Sequence, residues 1–400
     1  MGAGFEGRHR KSLMIPYGRQ DVTTEDIEAV IEVLQSEFLT QGPQVPKFEA
    51  ALQSKFTSEF AVAVNSATSA LHIACMALEL GPADRVWTSP ITFVASANCA
   101  RYCNAKVDFV DIDLTTYNIC VIKLEEKLEQ AKISGTLPKI LIPVHYAGQP
   151  CDMRRIWELS QKYGFKIIED ASHATGAQYR DKPVGSSEFS DITVFSFHPV
   201  KIITTGEGGA ALTSNRALAQ RMRLYRSHGV TRDADQMSVI SPEPWYYEQI
   251  ALGYNYRMSD LHAALGINQI KRLDSYIAKR NQIANRYNEM LQNLPINTPN
   301  VANYALSSFH LYTIQVSDAS VVSREDIFDW LKKRNVGVNV HYIPVHLQPY
   351  YRDQGFSRGD FPNAESFYSK ALTLPCHPSL TEAQQDQVVQ SLRKAFSCNE

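Results

Sequence analysis

Between residues 60 and 213 the chain alternates short apolar runs with amphipathic stretches, and no other feature restricts its fold as tightly. "FAVAVN", "RVWTSP", "KVDFVDI", "KILIPVHY", "FKIIED", "ITVFSF" and "GGAALTS" are brief, and several are rich in Val and Ile. Helical stretches such as "SATSALHIACMALEL" and "MRRIWELSQKYG" separate some of them. Strands buried on both faces read as continuous apolar runs, and strand–helix alternation predicts a largely parallel sheet covered by helices. The fold class is α/β.

The flanks read differently. "TTEDIEAVIEVL" opens with threonines and acids, then sets Ile27, Val30, Ile31 and Leu34 at helical spacing. "GPQVPKFEAALQSKF" predicts a helix restarting after Pro46, with Phe48, Leu52 and Phe56 on one stripe. From about residue 265, "INQIKRLDSYIAKRNQIANRYNEML" predicts one long amphipathic helix carrying Ile270, Leu273, Ile277, Ile283 and Tyr287. A strand ("FHLYTIQV"), a capped helix ("SREDIFDWLKKRNVG") and a last helix ("LTEAQQDQVVQSLRKAF") follow. At 400 residues the chain exceeds one ordinary core. The expected division is a large domain over 14–265 and a smaller α+β domain over 266–400. Residues 1–13 are small and basic, without the apolar stretch of a secretory signal, and Met14 opens "MIPYGRQDV". They read as a leader or cloning remnant.

A formal net charge of −2 speaks against nucleic acid or an acidic membrane as partner. No stretch approaches the ~20 apolar residues of a spanning helix. The seven cysteines contain no CxxC pair, and Cys99 and Cys103 are spaced to share one helix face. Reduced, buried thiols in a cytoplasmic protein account for them.

Three stretches carry chemistry. In "VNSATSAL", Ser66, Ala67, Thr68 and Ser69 lie where a strand gives way to a helix. A helix N-terminus offers free N–H groups and partial positive charge, and small side chains let a phosphate approach; an ordinary N-cap wants the same residues. In "KIIEDASHATGA", Asp170 falls at the carboxyl end of an apolar strand, where ligand crevices form in open α/β sheets. That carboxylate could cap a helix, hold a metal or pair with a cationic heterocycle; His173 lies one helical turn on. In "TVFSFHPVKIITTGEGG", Ser196 ends a strand and Lys201 follows. Gly206, Gly208 and Gly209 then permit close approach of backbone to a ligand. A desolvated lysine among such groups has a lowered pKa and can act as an amine nucleophile; an exposed turn lysine cannot. Taken together, the three describe a site for pyridoxal 5'-phosphate: phosphate on the helix N-terminus, pyridinium nitrogen on the aspartate, aldehyde on the lysine as a Schiff base.

With "FLTQGPQV", "SPITFVASANC", "RSHGV", "GYNYRMSDLHAALG" and "VNVHYIPVH", these motifs resemble the sugar-nucleotide aminotransferases of the DegT/DnrJ/EryC1/StrS group, from about Ile15 to the last helix. The resemblance implies the fold-type I architecture: a large domain on a mostly parallel seven-stranded sheet and a smaller α+β C-terminal domain. It makes Lys201 the lysine that bonds the cofactor, Asp170 the partner of the pyridine nitrogen and His173 a neighbour of the ring hydroxyl. Phe93 would stack on the ring. Ser66, Thr68, the Ala67 backbone and Ser196 would hold the phosphate, and Asn255 would reach it from a second subunit, making a homodimer part of the site.

For substrate, the resemblance implies contacts from His341 and Tyr342, with Arg257 and Tyr17 as further candidates. His341 and His346, with Pro344 between them, do not have the helical spacing of a zinc pair. Within the group, "IPYGRQDVTTEDIEAVIEVL" and "VGVNVHYIPVHLQPYY" are most similar to C4-specific enzymes of the pseudaminic acid route. Those aminate a UDP-linked 4-keto-6-deoxy-N-acetylhexosamine with L-glutamate, releasing 2-oxoglutarate. Lysine at 201, where sugar dehydratases of the group carry histidine, favours amino transfer. Alternatives are another nucleotide-linked keto sugar (C3 or C4, dTDP or GDP) and a non-catalytic sensor. A nicotinamide oxidoreductase would need a GxGxxG after a strand, which the chain lacks.

Overall fold

The structure, a computed structural model, describes residues 14–239 and 243–397. The leader expected at 1–13, and Cys398, lie outside the described residues. Seven strands form the central sheet: β1 (Phe60–Val64), β2 (Arg85–Thr88), β3 (Lys106–Phe109), β4 (Ile140–Ile142), β5 (Lys166–Asp170), β6 (Ile192–Ser196) and β7 (Gly209–Thr213). Their spatial order is β1-β7-β6-β5-β4-β2-β3. The strands from β3 to β6 pair in parallel, and only β7 runs antiparallel, between β6 and β1.

Side chains alternate across the sheet and feed two cores, as the period of a strand requires. Val62, Val64, Ile168 and Val194 join one, packed with Leu71, Ile73 and Ala74 of α3 (Ala67–Ala77). Ala61, Ala63, Phe195 and Leu212 join the other, with Phe48, Leu52 and Phe56 of α2 (Gln44–Phe56). α2 begins at Gln44, before Pro46. The proline sits in the first turn, where its missing N–H leaves no helical bond unmade.

Long-range contacts set the orientation of one expected helix and correct the extent of another. α1 (Thr24–Leu34) forms, but its apolar stripe is turned outward, with Ile27, Ile31 and Leu34 exposed. What anchors α1 is the fully buried Asp26, which accepts from Arg272 at 2.5 Å and Gln269 at 2.8 Å. The helix expected to run unbroken past residue 265 is two helices, Asp260–Lys271 and Leu273–Met290, divided at Arg272. That residue's guanidinium is committed to Asp26 and to Tyr276 Oη at 2.8 Å. The stripe Ile270, Leu273, Ile277, Ile283, Tyr287 is nonetheless buried throughout.

A second core surrounds a three-stranded sheet of Ile296–Asn297, Tyr312–Val316 and Ala371–Leu374. Helices Arg324–Lys333 and Glu382–Ser397 supply Leu331 and Val388 to it. Ile15, far away in sequence, also enters this core, and Tyr17, two residues on, packs against the large-sheet core. No helix among the described residues is long and apolar enough to cross a membrane.

The register of the large sheet sets up the site. Gly209, first in β7, pairs with Val64, last in β1, and with Ser196, last in β6. Asp170, last in β5, pairs with Val194. One sheet edge therefore collects the ends of the three strands that carry the candidate residues.

Candidate active site

A cavity of about 430 Å³ opens at that edge. Ser66, Ala67, Thr68, Ser196 and Phe93 line it, with Asp170, His173 and Lys201, and Tyr17, His341 and Tyr342 complete the wall. Asn255 and Arg257 do not. Asn255 is exposed, its carbonyl 3.4 Å from Asn65 Nδ2, and Arg257 bridges to Val64 outside the cavity wall.

Ser66 caps α3, accepting the Ser69 N–H at 3.1 Å. Among the described residues, the Ala67 and Thr68 amides have no partner, as the first turn of a helix dictates. They present N–H groups and the positive end of the helix dipole to the cavity. Gly209 is needed beneath them, since a Cβ there would lie 2.5 Å from the Ala67 nitrogen. Of the three glycines expected to admit a ligand, Gly208 lines the cavity and Gly209 instead admits α3.

Asp170 is buried with both oxygens engaged: Oδ2 accepts from Ser96 Oγ at 2.6 Å and Oδ1 from the Ser172 N–H at 3.1 Å. Thr92 Oγ1 lies 2.7 Å from the same Ser96 hydroxyl. Sequence reasoning missed Ser96, although it stands inside the quoted stretch "SPITFVASANC". His173 Nδ1 accepts the Ala147 N–H at 3.3 Å, and Nε2 lies 2.9 Å from Tyr342 Oη. Burial holds His173 well below the usual histidine range, with the charges of Lys201 and His341 adding to the effect. The Tyr342 loop is fixed from behind by Tyr146, whose hydroxyl donates to the His341 carbonyl at 2.7 Å. His341 itself is pushed down to about 3 by burial and by Lys201, its Nδ1 2.8 Å from Thr373 Oγ1. His346 turns elsewhere, to Glu365 at 3.0 Å.

Lys201 follows a tight turn in which its own N–H donates to the His198 carbonyl at 2.9 Å. Ile202 and Ile203 are buried in the core behind it, and Thr205 N–H and Thr204 Oγ1 both donate to Phe197 O at 3.0 Å. The backbone is thus pinned on either side of a lysine whose amine has no partner among the described residues. Burial lowers the ammonium to about 8, against the opposing pull of Asp170. Lys201 is half-buried in the cavity wall, unlike the exposed turn lysine of the alternative reading. The set of groups fits pyridoxal phosphate: unfilled amides for a dianion, a held carboxylate for a cationic nitrogen and an amine available to an aldehyde. Phe93, more than half exposed at the mouth, offers an aromatic face.

Known proteins share the sequence and the fold. The model of the DegT/DnrJ/EryC1/StrS aminotransferase family matches residues 20–393. A UDP-4-amino-4,6-dideoxy-N-acetyl-beta-L-altrosamine transaminase of Campylobacter jejuni is 39% identical over 368 residues, 92% of this chain and 93% of that protein. Helicobacter pylori PseC, an aminotransferase of pseudaminic acid biosynthesis, superposes with a TM-score of 0.88 at 32% identity, covering 96% of this chain and 100% of its own. The sugar aminotransferase Spr1654 of Streptococcus pneumoniae, solved in a PMP form and a PLP form, superposes with a TM-score of 0.86 in each. In the PMP form it is 29% identical, over 96% of this chain and 98% of its own. With family, fold and donor set in agreement, the chain belongs to the DegT/DnrJ/EryC1/StrS family and is a sugar aminotransferase whose cofactor is pyridoxal phosphate.

Proposed function

We propose that the protein transfers the amino group of L-glutamate to C4 of a UDP-linked 4-keto-6-deoxy-N-acetylhexosamine, the amination of pseudaminic acid biosynthesis. The observation that carries the reading is the desolvated, unpartnered Lys201 amine at one cavity with the held carboxylate of Asp170. Similarity to the Campylobacter transaminase across nine-tenths of both chains supports the choice of sugar.

The bound cofactor supplies an electron sink at the carbon losing its proton and carries the amino group between half-reactions. Lys201 Nζ, neutral once released, takes the proton from the donor's Cα and later delivers one to C4 of the sugar. Acid–base transfer of this kind typically contributes about 10²- to 10⁴-fold. Asp170 holds negative charge against the ring nitrogen, Ser66, Thr68, Ser196 and the Ala67 amide take the phosphate, and Phe93 covers the ring. His173 sits beside the ring hydroxyl, while Tyr17, His341, Tyr342 and Arg257 meet substrate. Asn255, which is exposed and does not line its own cavity, serves that of a second copy, and the uncovered apolar face of α1 supports such a homodimer. The division at residues 265/266 and a cytoplasmic location belong to the same reading.

The test is the visible spectrum of the purified holoenzyme. The expected result is a band that bleaches with glutamate and returns on adding UDP-2-acetamido-2,6-dideoxy-β-L-arabino-hexos-4-ulose. Bleaching without recovery would reject this sugar in favour of another nucleotide-linked keto sugar.

A further inference from the structure

Two histidines in the cavity wall have no side-chain role in the account above; His198 is exposed, and His310 is buried. His310 lines the cavity and is 5% exposed. Its ring centroid is 4.5 Å from that of His173. Its Nδ1 is buried without a partner among the described residues, which leaves Nε2 as the ring nitrogen that reaches the cavity. The other two inner histidines are already committed, His173 at both nitrogens and His341 to Thr373 and Asn339.

A neutral imidazole carries one proton, and a buried N–H without an acceptor is the rarer and costlier omission. The proton therefore belongs on Nε2, where a ligand oxygen can accept it. Burial and the charges of Lys201 and Arg280 keep the ring neutral, so it is a donor of one hydrogen bond.

Behind His310 lies a second anomaly. Arg280 is 1% exposed and has no carboxylate partner. Its Nη1 donates to three carbonyls: Cys376 at 2.7 Å, Phe309 at 3.0 Å and His310 itself at 3.3 Å. Buried charges are ordinarily paired. Arg280 stands behind the cavity wall, and among the lining residues the one Lys or Arg is Lys201, which the chemistry consumes. Arg280 therefore places a buried positive charge, without a carboxylate of its own, directly behind His310.

We propose that His310, backed by Arg280, is the carboxylate subsite for the amino donor: Nε2–H donates to one carboxylate oxygen, and Arg280 is a positioning residue holding the His310 backbone. The inference rests on the proposed use of an amino-acid donor and names residues that reading leaves unassigned.

The experiment titrates the holoenzyme with L-glutamate, read as bleaching of the visible band, and with glutarate, an unreactive dicarboxylate, read as competition. Loss of a hydrogen bond to a charged group predicts that His310→Leu weakens both by about 10- to 100-fold. Bleaching rate at saturating glutamate should change far less. His310→Asn, which keeps an N–H, should restore part of the affinity. Unchanged glutarate affinity in folded, cofactor-loaded His310→Leu overturns the proposal, as does equal loss in the leucine and asparagine variants, which would mean packing alone. Should His310→Leu fail to fold, the asparagine variant and Arg280→Met decide: full glutarate affinity in Arg280→Met overturns the backing role. Wild-type protein that binds glutarate but does not bleach with glutamate marks a failed choice of donor, distinct from a failed subsite.

Discussion

His173 Nε2 lies 2.9 Å from Tyr342 Oη, and because the Ala147 N–H already points at His173 Nδ1, the proton of the neutral ring is on Nε2. Tyr342 must then accept, which frees its own hydroxyl proton for another acceptor. Removing that hydroxyl strands the His173 N–H as well. Tyr342→Phe should raise the KM for the sugar and lower kcat/KM by about 2- to 20-fold, the worth of one neutral hydrogen bond or slightly more. Steady-state kinetics with both substrates varied would check this. Unchanged constants would contradict the assignment of the proton.

Lys201 sets a pH dependence whose sign is fixed by the direction of its shift. Burial lowers the ammonium to about 8, so about a tenth of the amine is neutral at pH 7, against far less than a hundredth for an ordinary lysine. Neutral amine is the nucleophile. Stopped-flow capture of pyridoxal phosphate by cofactor-free protein should accelerate as pH rises toward about 8, then level off. A rate still climbing at pH 10 would mean an unshifted lysine. Lys201→Ala should fold, bind cofactor without the imine band and lose turnover by at least about 10²-fold.

Ser96 reaches Asp170 from the start of the helix Ala95–Tyr102, at 2.6 Å. Ser96→Ala leaves a buried carboxylate oxygen short of a donor, a cost of about 1–3 kcal/mol. Urea unfolding of the cofactor-free protein should register that loss. Turnover should fall less than in Asp170→Ala, because the carboxylate itself remains.

At Gly209 a methyl group would meet backbone, with Ser66 C at 2.6 Å and Ala67 N at 2.5 Å. Backbone cannot swing aside as a side-chain tip can. Gly209→Ala should therefore cost about 1–3 kcal/mol and weaken cofactor binding together, since α3 must lift from β7. Gly81→Ala, whose nearest neighbour would be Asp84 Oδ2 at 3.8 Å, is the control and should do neither. Equal behaviour of the two variants, in unfolding and in cofactor titration, would count against the close approach.

If Asn255 completes the partner's cavity, two inactive variants should repair one another. Mixing Lys201→Ala with Asn255→Ala, then unfolding and refolding together, should recover about a quarter of wild-type activity, the share of intact sites in random dimers. No recovery would remove Asn255 from the site.

Local signals in the chain already determined much of this protein. Short apolar runs, several rich in Val and Ile, mark the seven strands, Ser66 marks the start of α3, and Asp170 and Ser196 stand at strand ends because a run of apolar residues stops there. Pattern of this kind is legible because it depends on the period of one element and on the residues that end it. Tertiary structure decided the rest, through contacts with no local signature. Ser96 meets Asp170 across 74 positions, and Arg272 breaks a helix to reach Asp26 across 246. The same periodicity that announced α1 could not say which of its faces would be covered: Asp26 is inside while Ile27 and Ile31 are out. His310 reads in sequence as one residue of a strand approach, and only packing sets it beside His173 in the cavity wall with Arg280 on its carbonyl. Hydrophobic spacing dictates which face of an element is apolar; which distant group meets that face is set by the topology that closes around it.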